Sequence, residues 1–566
     1  MKTKAGSSPV SAWGRKPDWI LAAAVCLGLI IRAVLVIFRQ YAISFDEAHH
    51  LRLAGSFLQQ GFGGLMHPYW PPLYPAVTAA AGLIVKNLET AGRLVNILCS
   101  TGIGVLVYII AGDLFNKHTA RLAAVFALLY PPLAFESTEV VTEPLYSVLG
   151  IGGMLLFYRG IINKKPGRLV LAGLLWGGSY LVRPEGVGFM MVAAAFITAA
   201  GLVRLLRIRF SQAVLWVAAV CIGFIAAASP YLIYLRNETG QWTLSTKGMV
   251  NQQLEAAVAF DSGKVKDPFF HLTEDNRHLP VDMAYHFGNI QDLVNMQEGS
   301  QRIVHIGLRQ YAEKYVRNVN GVLKEALPRV MTAVLLILAT AGFIANFYSR
   351  KNWILILFTG ATIFFFWFGV VPMFHVNYRY LLPLFPLCLI WSAHGAIHLY
   401  TWGEKAIAEC ASAGSRFSRW RKKISGILVA GIIILVCFVL EAGRIFAIHK
   451  YTPGLWGEPV EIREAGLWLK NNTDHAPVLL SINKAADFYA GQYNMKLGAS
   501  FSYDSIDRII AYARYRQCEY MVFSSRYLAW FANCEPLMSP EKMPAETKLV
   551  YDRTGPDGVR TVIYKL

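Results

Sequence analysis

Asp46 and Glu47 are adjacent carboxylates in the stretch SFDEAHH (Ser44 to His50), and His49 and His50 follow within a turn of chain. A carboxylate can take a proton from a hydroxyl, so this pair is equipped for acid–base work. The stretch follows an apolar run, Trp19 to Phe38, that is long enough to cross a bilayer, which places the acid where the chain leaves the membrane. Further polar residues stand between later apolar runs: His67, Tyr69 and Trp70; Glu136, Glu139 and Glu143; Arg183 and Glu185; His375, Asn377 and Arg379. Guanidiniums grip phosphate through a bidentate fork. Carboxylates and arginines sharing one compartment would suit a lipid phosphate whose chain stays in the bilayer. That chemistry fits an enzyme or a transporter equally well.

The elements that must position these residues are membrane helices. Hydrophobic residues make up 55% of the 566, mean hydropathy is positive, and apolar runs of about 17–25 residues recur as far as Phe446. The expected fold class is therefore a polytopic α-helical membrane protein. Spanning candidates are Trp19 to Phe38, Ala91 to Phe115, Arg121 to Phe135, Pro144 to Gly160, Leu169 to Leu181, Val187 to Val203, Ala213 to Leu235, Val330 to Phe347, Trp353 to Val371, Tyr380 to Tyr400 and Ile427 to Phe446. The first lacks a small-residue cleavage site after it and reads as an uncleaved helix.

Orientation follows from Lys and Arg, which collect in short cytoplasmic loops. Pro71 to Val85 is apolar but short and opens on two prolines. If it lies on the outer surface as an interfacial helix, the loops holding Lys117/Arg121, Arg159/Lys164/Lys165/Arg168, Arg204/Arg207/Arg209, Arg350/Lys351 and Arg416 to Lys423 all join the basic N-terminus inside. The reading is about eleven spans, with a cytoplasmic tail (1–18), a membrane domain (19–448) with outer loops 39–90 and 236–329, and a soluble extracytoplasmic region (449–566). The candidate polar residues then all face outward. The net charge of +18 falls largely on the inner loops, so no nucleic-acid partner is implied.

In the outer loops, Lys247 with Gly248 offers charge and a turn, and Ile306 to Leu327 has the apolar spacing of a helix lying on the membrane surface. After the last span, EIREAGLWLKNN and SIDRIIAYARYRQ read as helices, and APVLLSIN, YMVFSS and the chain end as strands, giving a small α/β domain. It contains no nucleotide-binding motif, and no catalysis is assigned to it. Of eight cysteines, six lie in or beside membrane runs. Cys518 and Cys534 share the soluble region and could pair there if it is extracytoplasmic.

The motif DE after the first span, the PPLYP helix, TEPLY (Thr142 to Tyr146), YLVRPEG (Tyr180 to Gly186) and NYRYLLPLFP (Asn377 to Pro386) occur in this order. Together they resemble the C-type membrane glycosyltransferases, in particular the protein O-mannosyltransferase and aminoarabinose (lipid A) transferase branches. WTLSTKGMVNQQ (Trp242 to Gln253) is similar to the loop that approaches the donor. The resemblance implies an inverting transferase that uses a polyprenyl-monophosphate sugar and an extracytoplasmic acceptor hydroxyl on protein, glycolipid or polysaccharide. Asp46 would be the general base and Glu47 its support. His49, His67, Tyr69, Trp70, Glu143, Arg183, Glu185, Lys247, His375, Asn377 and Arg379 are the candidate substrate-binding residues. Arg183 and Arg379 are assigned to the donor phosphate chiefly by charge.

His49 and Trp70 stand where the aminoarabinose branch carries an arginine and a lysine. The sequence specifies no cofactor, and His49, His67 and His375 could bind a divalent metal. The compact loops favour a prokaryotic inner membrane. A transporter or flippase for a lipid-linked sugar is the alternative, but no internal repeat supports it. A membrane scaffold is the weakest reading.

Overall fold

The structure is a computed structural model that describes residues 17–39, 41–43, 45–204, 208–248, 250, 270–289, 308–349, 353–374, 376–411 and 458–566. Its membrane part is built from helices α1 (Trp19–Phe38), α2 (Phe45–Gln60), α3 (Leu73–Val85), α4 (Leu88–Leu114), α5 (Lys117–Leu129), α6 (Glu143–Ile162), α7 (Pro166–Val182), α8 (Val187–Leu202), α9 (Phe210–Thr239), α10 (Leu308–Gly321), α11 (Ala333–Ser349), α12 (Trp353–Phe364) and α13 (Phe385–Ala411). Polar caps set several starts. Asp18 accepts from the Ile20 amide, Asn87 from that of Thr90 and Asn116 from that of Thr119, which satisfies donors that a first turn leaves open.

Among the described residues, six helices are long and apolar enough to cross a membrane, or seven if a pair bent by 101° between Val330 and Ala333 counts as one. The chain is thus a multi-pass helical membrane protein, and among the described residues the long apolar helices and the bent pair coincide with seven of the eleven expected spans. Arg121 to Phe135 is cut short because α5 stops before Pro131 and Pro132, which open a separate short helix, Pro131–Glu136. Leu169 to Leu181 lies in α7, which has 17 residues. Tyr380 to Tyr400 becomes α13, which carries His394, His398, Glu404 and Lys405. Ile427 to Phe446 lies outside the described residues. Helix α3 has 13 residues, about 20 Å of helix against a hydrocarbon core of about 30 Å.

Close approach between helices fixes the bundle. A Cβ on Gly173 of α7 would lie 2.1 Å from the Val220 carbonyl of α9, and one on Gly223 would lie 2.0 Å from that of Val170. Only glycine allows this reciprocal contact, the small-residue packing expected where lipid removes the hydrophobic drive. In α1, Arg32 is fully buried and spends its guanidinium on the Ser137 and Ser100 hydroxyls and the Gly28 and Leu128 carbonyls. A charge inside a span persists only with such partners.

Residues 458–566 form helices α14 (Val460–Asn472) and α15 (Ile506–Tyr515) with strands β1 (Leu479–Ser481), β2 (Tyr520–Ser524), β3 (Lys548–Thr554) and β4 (Arg560–Lys565). The sheet order is β1-β2-β4-β3, parallel between β1 and β2 and antiparallel elsewhere. Strand β3 went unread in the sequence because it is a largely exposed edge with charges interleaved. Cys518 and Cys534 are buried free thiols, so the possible disulfide is not formed.

Candidate active site

The DE motif is not in a loop. It forms the first turn of α2, where the unpaired amides and the helix dipole favour negative charge. Phe45, immediately before it, has φ of +22°, an unfavourable value for a bulky residue. Its ring packs against Tyr527 and Trp530 of the C-terminal region, so the strained start of α2 is held from outside the membrane helices.

The two carboxylates have different surroundings. Glu47 is buried and accepts from the Tyr41 hydroxyl, which in turn accepts from the Val140 amide at 3.1 Å. Asp46 is exposed, and its charge is felt by Tyr69, Lys247, Arg379 and Tyr380. Helix α2 therefore fixes one acid and presents the other.

Glu143 opens α6 and is 1% exposed. It accepts from Arg183 at 3.0 Å and from Arg379 at 3.1 Å. Arg183 caps α7 in extended conformation ahead of the Pro184–Gly186 turn, reaches Glu185 at 3.4 Å, and lies 5.2 Å from the Tyr380 ring. Arg379 follows Asn377, whose side chain accepts from the Arg379 amide at 3.0 Å. The Glu143 carboxylate holds the Arg379 guanidinium well above its ordinary range. Its side chain is 34% exposed and its Nε has no partner, so it retains donors for a ligand.

The Lys247 loop folds back over this group, anchored by the Thr246 hydroxyl on the Pro68 carbonyl at 2.7 Å. Its ammonium lies 4.8 Å from the Trp70 ring and 5.1 Å from that of Tyr69, a cation–π arrangement. Burial and then Arg183 push its pKa down, against the pull of Glu185, Asp46 and Glu143.

The histidines divide. His67 Nδ1 accepts from the Tyr69 and Trp70 amides, and its Nε2 meets the His286 carbonyl at 3.3 Å. Both ring nitrogens are engaged by backbone groups that shape the turn. His49 stacks between Trp70 and His286 at 4.9 and 4.7 Å. His50 stands edge-on to Trp70 and Tyr74, and burial followed by Lys247 lowers its pKa to about 3. His375 lies outside the described residues. Among the described residues no three His, Cys, Asp or Glu side chains converge as a metal site.

Of the sequence candidates, Asp46, Glu143, Arg183, Glu185, Lys247, Arg379, Tyr69 and Trp70 gather around one centre, with His49 stacked on Trp70 behind it and His50, which is not among those candidates, edge-on to the same ring. Asn377 acts as a cap and Glu47 as a support. The sequence reading missed Tyr41, Tyr285 and His286, none of which carries a local signal, Tyr380, which lies within the NYRYLLPLFP motif but was not singled out, and Arg52, whose partners are far along the chain. Glu136 is buried with one oxygen unpartnered, and Glu139 pairs with Arg39 at 2.9 Å.

The family described as dolichyl-phosphate-mannose-protein mannosyltransferase matches residues 67–234. No curated protein matches the chain. Among solved structures, the apo oligosaccharyltransferase of Archaeoglobus fulgidus is 13% identical, with a TM-score of 0.56 over 91% of this chain and 71% of that one. The same enzyme with an inhibitory peptide and a dolichol-phosphate gives 12% and 0.55 over 96% and 74%. ArnT from Cupriavidus metallidurans bound to undecaprenyl phosphate gives 12% and 0.52 over 96% and 98%. The chain has the fold of the C-type membrane glycosyltransferases.

Proposed function

We propose that the protein transfers a sugar from a polyprenyl-monophosphate donor to an extracytoplasmic acceptor hydroxyl with inversion, and that Asp46 is the general base. The observation that carries this reading is the exposed Asp46 carboxylate beside Lys247 and Arg379, cations that keep donor capacity. Support comes from the neighbours of the same fold that hold undecaprenyl phosphate and dolichol-phosphate.

In the proposed reaction Asp46 takes the acceptor proton as the acceptor oxygen bonds to the anomeric carbon. The bond from that carbon to the phosphate oxygen breaks and its electron pair leaves with the polyprenyl phosphate. Lys247, Arg379 and Arg183 would balance the charge that develops on the leaving phosphate. Glu143 holds the two arginines in place, and Glu47 holds the start of α2 through Tyr41. The lysine absent at position 70 has a spatial substitute, because the Lys247 ammonium sits over the Trp70 ring. The site would open on the periplasmic side of an inner membrane, with the N-terminus cytoplasmic.

The test is Asp46→Asn in proteoliposomes given a radiolabelled polyprenyl-phosphate sugar and an envelope extract as acceptor. Transfer should fall by about 10²–10⁴, the usual worth of a general base, while donor affinity holds. Normal transfer by the variant would remove Asp46 from the reaction. Donor crossing the bilayer without transfer by the wild type would favour a flippase.

A further inference from the structure

We propose that a cavity of about 360 Å³ between the turn Met283–Phe287 and the C-terminal α/β region binds an anionic group, phosphate or carboxylate, on a sugar of the acceptor. The acceptor assignment rests on the transferase reading above. Arg277, His278, Lys496 and Arg516 line the cavity against a single carboxylate, Glu238. In the same region Arg508, Arg526 and Arg560 each lie on a carboxylate at 2.6 Å.

The cavity cations are spent otherwise. Arg516 donates to the Lys496 carbonyl at 2.8 Å, lies 3.9 Å from the Phe287 ring, and has a buried Nε with no partner. The Arg277 guanidinium overlies the Tyr515 ring, at 5.8 Å, and forms no ion pair among the described residues. Among the described residues the Lys496 ammonium has no carboxylate within salt-bridge reach. Positive groups gathered in a concave site without carboxylate partners suit an oxyanion, and a guanidinium adds bidentate geometry. Met283, Phe287 and Tyr512 give the same cavity apolar faces against which a sugar ring can lie.

The position ties the cavity to the candidate centre. Gly288 (φ +66°) ends the turn so close to the Pro68 corner that a Cβ would meet Pro68 Cδ at 2.6 Å. On its other side the turn offers the Tyr285 carbonyl to Trp70 Nε1 at 2.9 Å and stacks His286 on His49. An acceptor anchored in the cavity therefore lies against the turn that backs Trp70 and Lys247.

Calorimetric titration of the purified full chain with glucose 6-phosphate, glucuronate and glucose tests this. At least one of the two anionic sugars should bind, the stronger arm naming phosphate or carboxylate, and glucose should not. The double variant Arg277→Gln/Lys496→Gln should weaken that binding by about tenfold or more, since each charged donor contributes above a neutral one. It should keep the wild-type melting temperature and affinity for undecaprenyl phosphate. No binding of either anionic sugar, equal binding of glucose, or unchanged affinity in the double variant would overturn the proposal. So would loss of glucose 6-phosphate binding in Lys247→Gln, which would place that ligand in the donor site. Anion binding here without any sugar transfer by the wild type would refute the transferase reading and the acceptor role while leaving the anion site.

Discussion

Two charged clusters flank α2, and they are built to opposite ends. On one side Arg52 is fully buried and donates to the carbonyls of Gln492, Asn494 and Leu497 at 3.0, 2.7 and 3.2 Å, with Asp487 at 3.8 Å. Lys484 donates to the Ala499 carbonyl, and Asp282 accepts from the Ser500 amide and the Tyr512 hydroxyl. These groups fasten the C-terminal region and the 270–289 segment to α2. On the other side, around Asp46, Lys247, Glu143, Arg183 and Arg379, an acid is exposed and cations keep free donors. Burial and charge are common to both clusters, so neither marks a site. An opening does: Asp46 is exposed and the Arg379 side chain is 34% exposed, whereas Arg52 and Asp487 are sealed from solvent even though Arg52 Nη1 and Asp487 Oδ1 also lack hydrogen-bond partners among the described residues.

The sharpest way to break the comparison is to open the closed cluster. Arg52→Met removes three hydrogen bonds and leaves Asp487 buried without its cation. Breaking a buried pair from one side costs about 3–5 kcal/mol. The expected result is a lower melting temperature and protease cleavage within 458–566, with transfer lost in proportion to protein unfolded. A variant that melts normally would show that the C-terminal region is held by its apolar contacts alone.

Acid should strain both sides through their histidines. Burial lowers His50 and His67 to about 3, His50 beside Lys247, Arg183, Arg379 and Glu143, and His67 beside the His286 carbonyl and Lys496. Both are neutral in the fold from pH 7 downward, whereas the unfolded chain begins to protonate them near 6.5. The unfolded state then binds more protons, so stability falls as pH drops from 6.5 toward 3 and is unaffected above. Each imidazole contributes roughly 2 kcal/mol of loss between pH 6.5 and 5. Melting temperatures across that range, with His50→Gln and His67→Gln as controls that flatten the slope, measure it. A flat wild-type profile would mean that these rings are already hydrated.

Much of this was legible in the sequence. Apolar runs gave the membrane helices, and seven of the expected spans coincide with the long helices or the bent pair. The motif residues Asp46, Glu143, Arg183 and Arg379 meet in space although they stand up to 333 positions apart. What could not be read depends on distant partners. The α2 sequence, FDEAHHLRLAGSFLQQ, looks like a polar surface helix, yet ten of its residues are buried between helix α3 with its preceding turn on one side and the C-terminal region on the other. Arg183 and Arg379 looked free for phosphate, but Glu143 takes a share of each. The His67 ring meets the Tyr69 and Trp70 amides and the His286 carbonyl, backbone partners that carry no sequence signature.

The open cluster makes the finest prediction through Lys247. Its ammonium touches two aromatic rings, and among the described residues no carboxylate lies within salt-bridge reach of it. Lys247→Gln therefore removes only the cation–π contacts with Trp70 and Tyr69, a loss offset by relief of the cost of burying a charge, so melting temperature should hold. Binding of undecaprenyl phosphate should weaken by the worth of one charge-assisted hydrogen bond, about 1.5–3 kcal/mol, or about 10–150-fold. Lys247→Arg should recover part of this, since a guanidinium over Trp70 keeps both the charge and the stacking. Loss of stability together with affinity would move Lys247 into the closed class, a scaffold residue like Arg52. Loss of affinity alone would fix it as a group kept charged and underused for the donor.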